Sequence, residues 1–595
     1  MTGQGFRSIH SLGLDVVQYV SQVFRLKRHP GGSLALPLPS PPPPSPSESD
    51  PQVCTMTNVT RPAEASDYGT RQLDSWNQAA MRSYVRQVFC FPFCGGADSL
   101  GVEMLRLHLA SALAMASKRF PDYAARVFLE PGSAGKVSIG RTSADQVSLR
   151  VMDQRTLFGW TYQQLKMAGF PAKAFVDPSF TVPYRLLEGG PGIPVLEIHA
   201  RVIEGGLLLC VYLHHSITDG MGMTNFLSVF ADCTRRVSGH DRSNGLRGSN
   251  LAPVRDVPMD IYTDLPEETT ARLLQTAPFD GLMSRCPEYG TLPNLNGPTS
   301  PLIPSPPTKT IQKTGRIFRF SHAKIDVIKR VARQWRSTRF VDAESRYPST
   351  YACLAALTWA FSTATRFGVA RKFKVLRANK RERTTTTTTT TTDVNGGVPC
   401  RMLMPATWAS RAFPEVSKTY AGNAVAMPEA NVGLRVLSDA ARSSPDDAAA
   451  VKLAAAGNPL GAIVHCIETA LASIDDGFVA TRTAMFRAAP DPRVIGVRLD
   501  AADPRDFIFN SWRRFGADTV WGIPGTEAGT GGGGDGVYPD AVRRAQVAWN
   551  MGAGVIMPGR KDSGVYEVLV TLDVPSMERL CKDDNWRAWV DEVME

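Results

Sequence analysis

The sequence predicts a mixed α/β fold in two domains, and three observations carry that expectation. The chain has 595 residues, more than one hydrophobic core ordinarily organises. Short apolar runs bounded by glycine alternate with segments whose apolar residues recur at helical spacing, and they do so in both halves. A stretch rich in proline and polar residues at 241–311 lies between those halves and reads as an interdomain crossover. The expected division is an extension at 1–68, a first domain at 69–240, the crossover, and a second domain at 312–595.

Taken in order, residues 1–68 contain a proline-dominated run at 36–46 and are expected to be disordered. Residues 8–29 before it form a basic amphipathic pattern, read either as a transit segment or as an overextended start with Met56 as initiator. Residues 88–93 read as a first strand. A helix follows at 104–117, with Leu105, Leu109, Ala112, Leu113 and Ala116 on one face. The apolar runs 195–203 and 207–213 flank Glu204-Gly205-Gly206, a hairpin signal. In the second half, 316–321 reads as a strand, and 323–335, 351–367, 462–474 and 479–486 as helices. The threonine run 384–392 and the glycine-rich 525–536 read as inserted loops, the latter lacking the Gly-Lys-Ser/Thr ending of a phosphate loop. A second hairpin-like pair at 554–558 and 565–572 and a short helix from Ser576 close the chain.

Composition narrows the function classes. Sixty-six Lys and Arg against 56 Asp and Glu give a net charge of +10, which favours an anionic partner. Zinc-finger spacing, an aromatic RNA-binding motif and basic heptads are all missing from the sequence, so nucleic acid is not the expected partner. The charge reads as a solvated surface or a field for an anionic co-substrate. No run reaches the roughly 18 apolar residues of a membrane-spanning helix, so no span is expected. Ten cysteines without paired CxxC spacing point to reduced thiols in a cytoplasmic protein. Cys90 and Cys94 do not make a metal site, and none is expected elsewhere.

One stretch carries chemistry. Residues 207–213 are unbroken apolar, as in a strand buried on both faces, and they run straight into His214-His215-Ser216-Ile217-Thr218-Asp219-Gly220. Met223, Phe226, Leu227 and Phe230 then recur at helical spacing, so Asp219-Gly220 falls at a helix start. A strand-turn-helix unit of this kind can hold a histidine rigidly at a cavity edge, as a general base requires. The plain alternative is a core histidine beside an ordinary Asp N-cap.

His215-Ser216-Ile217-Thr218-Asp219-Gly220 resembles the HxxxDG motif of the BAHD acyltransferases, within them the fungal trichothecene 3-O-acetyltransferase-like branch. The resemblance spans about residues 73–595. Asp518-Thr519-Val520-Trp521-Gly522 resembles the family's DFGWG with two positions altered, and Phe507-Ile508-Phe509-Asn510-Ser511-Trp512 resembles a family strand. Ser349-Thr350-Tyr351, leading into Leu354 to Trp359, and Tyr420-Ala421-Gly422-Asn423 follow in the family's order.

The resemblance implies two chloramphenicol acetyltransferase-like domains with a central solvent channel between them. It implies no bound cofactor and no metal, with acyl-CoA, acetyl-CoA first, as co-substrate. The acceptor is then a small secondary metabolite bearing a hydroxyl or amine, and the enzyme a cytoplasmic monomer. His215 would be the general base, with no acyl-enzyme, while Asp219 would pair with an arginine and hold the loop. Gly220 would permit a tight turn. Trp512, with Asn510, would serve the oxyanion, and Asp518, Trp521 and Gly522 would shape the channel wall near CoA.

Other readings remain open at this stage. His214-His215 with Asp219-Gly220 also fits the HHxxxDG of peptide-synthetase condensation domains, although no carrier or adenylation segment is present. A catalytically inactive binding protein on the same scaffold is motivated by the altered Asp518 motif. Metal hydrolysis through His214, His215 and Asp219 is disfavoured, because adjacent residues on a strand point to opposite faces. Arg366, Arg371, Lys372, Lys374 and Arg377 read as a solvated face or as a contact for CoA phosphates.

Overall fold

A computed structural model describes residues 70–94, 99–129, 131–141, 145–182, 184, 186–238, 261, 264–291, 311–340, 347–368, 397–417, 420–446, 458–526, 536–550 and 552–595. The expected extension at 1–68, the threonine run at 384–392 and most of the glycine-rich loop lie outside those residues. The mixed α/β expectation holds.

The first sheet has five strands in the order Ala541–Arg544, Tyr84–Pro92, Gly206–His214, Leu196–Ile203, Ser148–Asp153. Its centre is the expected hairpin, turned at Glu204-Gly205 with Gly205 at φ +72°, a conformation glycine adopts without strain. Every residue of Gly206–His214 is buried, as a strand with neighbours on both edges and both faces must be. The helices Ser99–Arg119 and Gly220–Val237 add Leu105, Leu109, Phe226, Leu227 and Phe230 to the same core.

The second sheet has seven strands in the order Glu429–Gly433, Pro399–Leu403, Asp506–Ser511, Ala553–Ile556, Val565–Asp573, Lys313–Ser321, Glu592–Met594. Ala553–Ile556 and Val565–Asp573 pair antiparallel, as the terminal hairpin pattern predicts. The chain does not close on the helix Val574–Lys582, however. A further helix, Asp584–Trp589, buries Trp586 and Trp589, and Glu592–Met594 then pairs with Lys313–Ser321.

The two halves of the sequence interpenetrate. Ala541–Arg544 pairs antiparallel with Tyr84–Pro92, covering what would otherwise be an open edge, and Trp521 is buried in the first core. Residues assigned to 312–595 on sequence therefore complete the first sheet. In the other direction, Trp76 on the short helix Ser75–Ala79 packs against Trp408 and Phe486, with ring centroids 5.5 and 5.0 Å away. That contact brings Asp74 and Asn77 to the junction where the site is built.

Candidate active site

The hairpin strand delivers two adjacent histidines to opposite environments. His214, its last residue, is fully buried with its ring edge-on to Tyr84 at 5.2 Å. Burial pushes its pKa down to about 3, so it stays neutral. His215 is half-buried, and its backbone N–H donates to the Ser83 carbonyl at 2.8 Å. Its Nδ1 lies 2.8 Å from Asn423 Oδ1. Asn423 Nδ2 donates to two oxygens, the His215 carbonyl at 2.6 Å and Asn77 Oδ1 at 2.7 Å, so the amide orientation is set. The atom facing the imidazole is then an acceptor, Nδ1 carries the hydrogen, and the lone pair sits on Nε2.

Asp219 caps the helix Gly220–Val237. Its Oδ1 accepts from the N–H groups of Met221 and Gly222 at 2.8 and 3.3 Å, and its Oδ2 accepts from Ala424 N–H at 3.2 Å. The expected arginine partner is replaced, among the described residues, by these three amides. Each is a fixed backbone donor, and together they work against the burial, which still leaves the carboxyl's pKa raised. Thr218 Oγ1 donates to the Ala421 carbonyl at 2.6 Å, so residues 421–424 are stitched along the whole His215–Asp219 loop. Gly220 also acts differently from expectation. Its φ is not positive, and a Cβ there would overlap the Phe515 ring, so glycine serves close packing rather than a tight turn.

Phe515 links this loop to Trp512. The two rings lie 6.2 Å apart, Trp512 is half-buried, and the Arg544 guanidinium sits over its indole at 5.4 Å. Asn510 turns its amide oxygen back onto the Ser511 N–H at 2.7 Å. The Asp518 segment does other work. Trp521 is fully buried among Phe89, Phe91 and Phe230, 5.3 to 6.1 Å away, and has no surface to offer a ligand. A Cβ on Gly522 would meet the Arg235 backbone at 2.6 Å, which explains the glycine by close approach to the helix. Asp518 is exposed and accepts from Lys561 N–H at 3.0 Å. Arg366, from the basic cluster, spends its guanidinium on the carbonyls of Ala501, Asp503 and Asp506, while 371–377 lie outside the described residues.

Comparison with known proteins bears on what this geometry is for. The family described as trichothecene 3-O-acetyltransferase-like N-terminal domain matches residues 84–233, which include both histidines. F. graminearum TRI101, solved with coenzyme A and T-2 mycotoxin, superposes with a TM-score of 0.59 at 18% identity, covering 88% of this chain and 100% of that one. Residues 84–233 thus resemble the N-terminal domain of that acetyltransferase family, and the chain as a whole shares the fold of TRI101.

Its mixed α/β fold is therefore the fold of TRI101. Trichothecene 8-O-acetyltransferase of Fusarium sporotrichioides is 23% identical over 72% of this chain and 79% of its own length. Acyltransferase easC of Emericella nidulans is 27% identical over 29% of this chain. The match spans 36% of easC and 40% of each of two further fungal acyltransferases, well under two thirds of their lengths.

Asn423, Asn77 and Asp74 carry no role legible in the sequence. Asn423 stands in the Tyr420-Ala421-Gly422-Asn423 match, and that was its only signal. A groove of about 480 Å³ lined by Gly159, Trp160, Gln164, Met167 and Ala168 sits beside Tyr162, which packs on Gly206 at the opposite end of the hairpin strand from His215. Its lining carries no acid, base or thiol.

Proposed function

We propose that this chain transfers an acyl group, acetyl first, from a CoA thioester to a hydroxyl or amine of a small secondary metabolite. The observation that supports it is the tethered imidazole. With Nδ1–H committed to Asn423, Nε2 of His215 is the basic nitrogen, held at the end of a rigid strand. In the proposed step Nε2 takes the acceptor's proton as its oxygen or nitrogen bonds to the thioester carbonyl carbon. The tetrahedral intermediate then collapses, the C–S bond breaks, and the imidazolium returns the proton to the departing thiolate. No acyl-enzyme forms. The indole N–H of Trp512 is the proposed oxyanion donor, carried to the HxxxDG loop by Phe515.

Relatives lend the substrate classes. TRI101 was solved with coenzyme A and T-2 mycotoxin and with deoxynivalenol, which motivates acyl-CoA and a hydroxyl-bearing acceptor here. The central channel, the absence of any bound cofactor or metal, action as a monomer and a cytoplasmic location belong to the same proposal. The nine described cysteines are all free thiols, which suits a reducing compartment. A condensation-type reaction and an inactive binder are the readings this proposal competes with.

The test is His215→Ala in the full chain, following CoA release from acetyl-CoA with a panel of alcohols and amines that includes deoxynivalenol. Loss of a general base costs about 10²- to 10⁴-fold, so release should fall by at least about a hundredfold. Equal release by both proteins removes His215 from the chemistry.

A further inference from the structure

Behind Asn423 the hydrogen-bond chain continues for two more residues, all of them buried. Asn77 Oδ1 accepts from both the backbone N–H and the side-chain Nδ2 of Asn423, at 2.8 and 2.7 Å. Asn77 Nδ2 donates to Asp74 Oδ2 at 2.8 Å and to the Ile261 carbonyl at 2.9 Å. Asp74 Oδ1 takes the Asn77 backbone N–H at 2.8 Å, and Tyr420 O–H reaches Asp74 Oδ2 at 3.0 Å. Relative exposures are 4% for Asp74, 0% for Asn77 and 3% for Asn423, so water does not compete for these bonds.

The chain has a direction. Both amides are oriented by groups that cannot flip: the Asn423 N–H and the carbonyls of His215 and Ile261. Asp74 ends the series by accepting from three donors, the Asn77 backbone N–H and Nδ2 and the Tyr420 O–H. Reversing Asn77 would set its NH₂ against the Asn423 N–H, and reversing Asn423 would set an N–H donor against Nδ1. That reversal would move the hydrogen to Nε2 and abolish the base. Gly422 leaves the necessary room, since a Cβ there would press on Tyr420 Oη and Asn77 Nδ2.

We propose that Asp74 is a positioning residue for His215, acting through Asn77 and Asn423 to hold the imidazole as the Nδ1–H tautomer with Nε2 free. The proposal rests on the reading of His215 as base given above. Asp264 and Tyr420 face Asp74, and Arg487 holds Asp264 by a 3.2 Å contact. Burial raises the Asp74 carboxyl to about 8, against the donors from Asn77 and Tyr420.

Asp74→Asn is the informative variant, because asparagine still caps the helix Ser75–Ala79 and leaves the fold intact, while Oδ2 becomes a donor facing donors. With acetyl-CoA and the acceptor panel, kcat should fall about tenfold with KM changed less than about threefold, as when a partner that orients a functional imidazole is lost. The acidic limb of the kcat/KM pH profile should move. Asp74→Asn combined with Asn423→Ala should be no worse than Asn423→Ala alone, since both act on one series of bonds. Nitrogen-15 spectra of the histidine rings, with His215 assigned by its loss in His215→Ala, should show the Nδ1–H tautomer in the native protein and a mixture in Asp74→Asn.

A folded Asp74→Asn protein with kcat within about twofold and an unchanged ring spectrum would overturn the assignment, as would full additivity of the double variant. If the native protein transfers no acetyl group, the function reading fails on its own. The ring spectrum still decides whether Asp74 sets the tautomer.

Discussion

Two loops carry the segments that resemble HxxxDG and DFGWG, and they differ in what holds their side chains. The His215–Gly220 loop is fastened by hydrogen bonds to residues 421–424, three of them ending on Asn423 or Asp219. The Asp518–Gly522 loop has backbone hydrogen bonds as well, from Gly522 N–H to Thr234 Oγ1 at 3.0 Å and from Ser238 Oγ to the Gly522 carbonyl at 2.6 Å, but its buried positions are held by packing, with one indole in an aromatic box and one glycine against a helix backbone. Polar bonds fix a particular atom in a particular direction, which chemistry needs; packing fixes a shape and tolerates change where side chains do not touch it. Trp521 and Gly522 match DFGWG where the packing demands them, whereas Thr519 and Val520 depart from it at half-buried positions.

The sharpest way to break this contrast is Trp521→Ala. Removing a fully buried indole should destabilise the chain by about 3–5 kcal/mol, read as a lower urea midpoint. The protein that remains folded should keep its kcat. A kcat that collapses without loss of stability would make the second loop part of the chemistry.

A smaller effect comes from pH and belongs to the first loop. His214 has a folded pKa of about 3 against an ordinary 6.5, so the unfolded chain binds the extra proton between those values. Its neutral burial therefore contributes fully above pH 6.5 and is lost as pH falls through that window. Relative to His214→Phe, the native chain should lose about 2–3 kcal/mol between pH 6.5 and 4.5, compared by denaturant unfolding at the two values. Asp74 acts the other way, since its raised pKa lets the folded state hold a proton as pH rises towards 8, and the paired comparison removes that contribution. Parallel curves for the two proteins would mean that His214 titrates normally.

Gly220→Ala should cost about 1–3 kcal/mol through overpacking against Phe515, with part of the loss recovered by adding Phe515→Leu. An unchanged melting temperature would show that Gly220 and Phe515 are not in the close contact described.

What the sequence made legible is local. The apolar run 207–213, the glycine pair before it and the helical spacing after Gly220 specify strand, turn and helix because backbone periodicity is a short-range signal. The opposite fates of His214 and His215 follow from the same alternation. Asn423, by contrast, lies 208 residues from His215, and Asn77 lies 346 from Asn423. No periodicity encodes such pairings. The arginine expected for Asp219 failed for a related reason: a buried carboxylate needs donors, and backbone amides supplied by a helix start and a passing loop are invisible in side-chain identities. The joining of 541–544 to the first sheet was equally hidden, because an edge strand advertises its apolar pattern but not its partner.

The account's central claim is that Nε2 of His215 faces the reacting thioester, and a crystal structure of the full chain soaked with acetyl-CoA tests it most directly. A nucleophile within hydrogen-bond reach of Nε2 and in contact with the carbonyl carbon places the thioester within about 6 Å of that nitrogen. The account predicts this distance on the Nε2 side of the ring, with Nδ1 still on Asn423. A thioester bound more than about 10 Å away, or His215 turned with Nδ1 freed from Asn423, would contradict it.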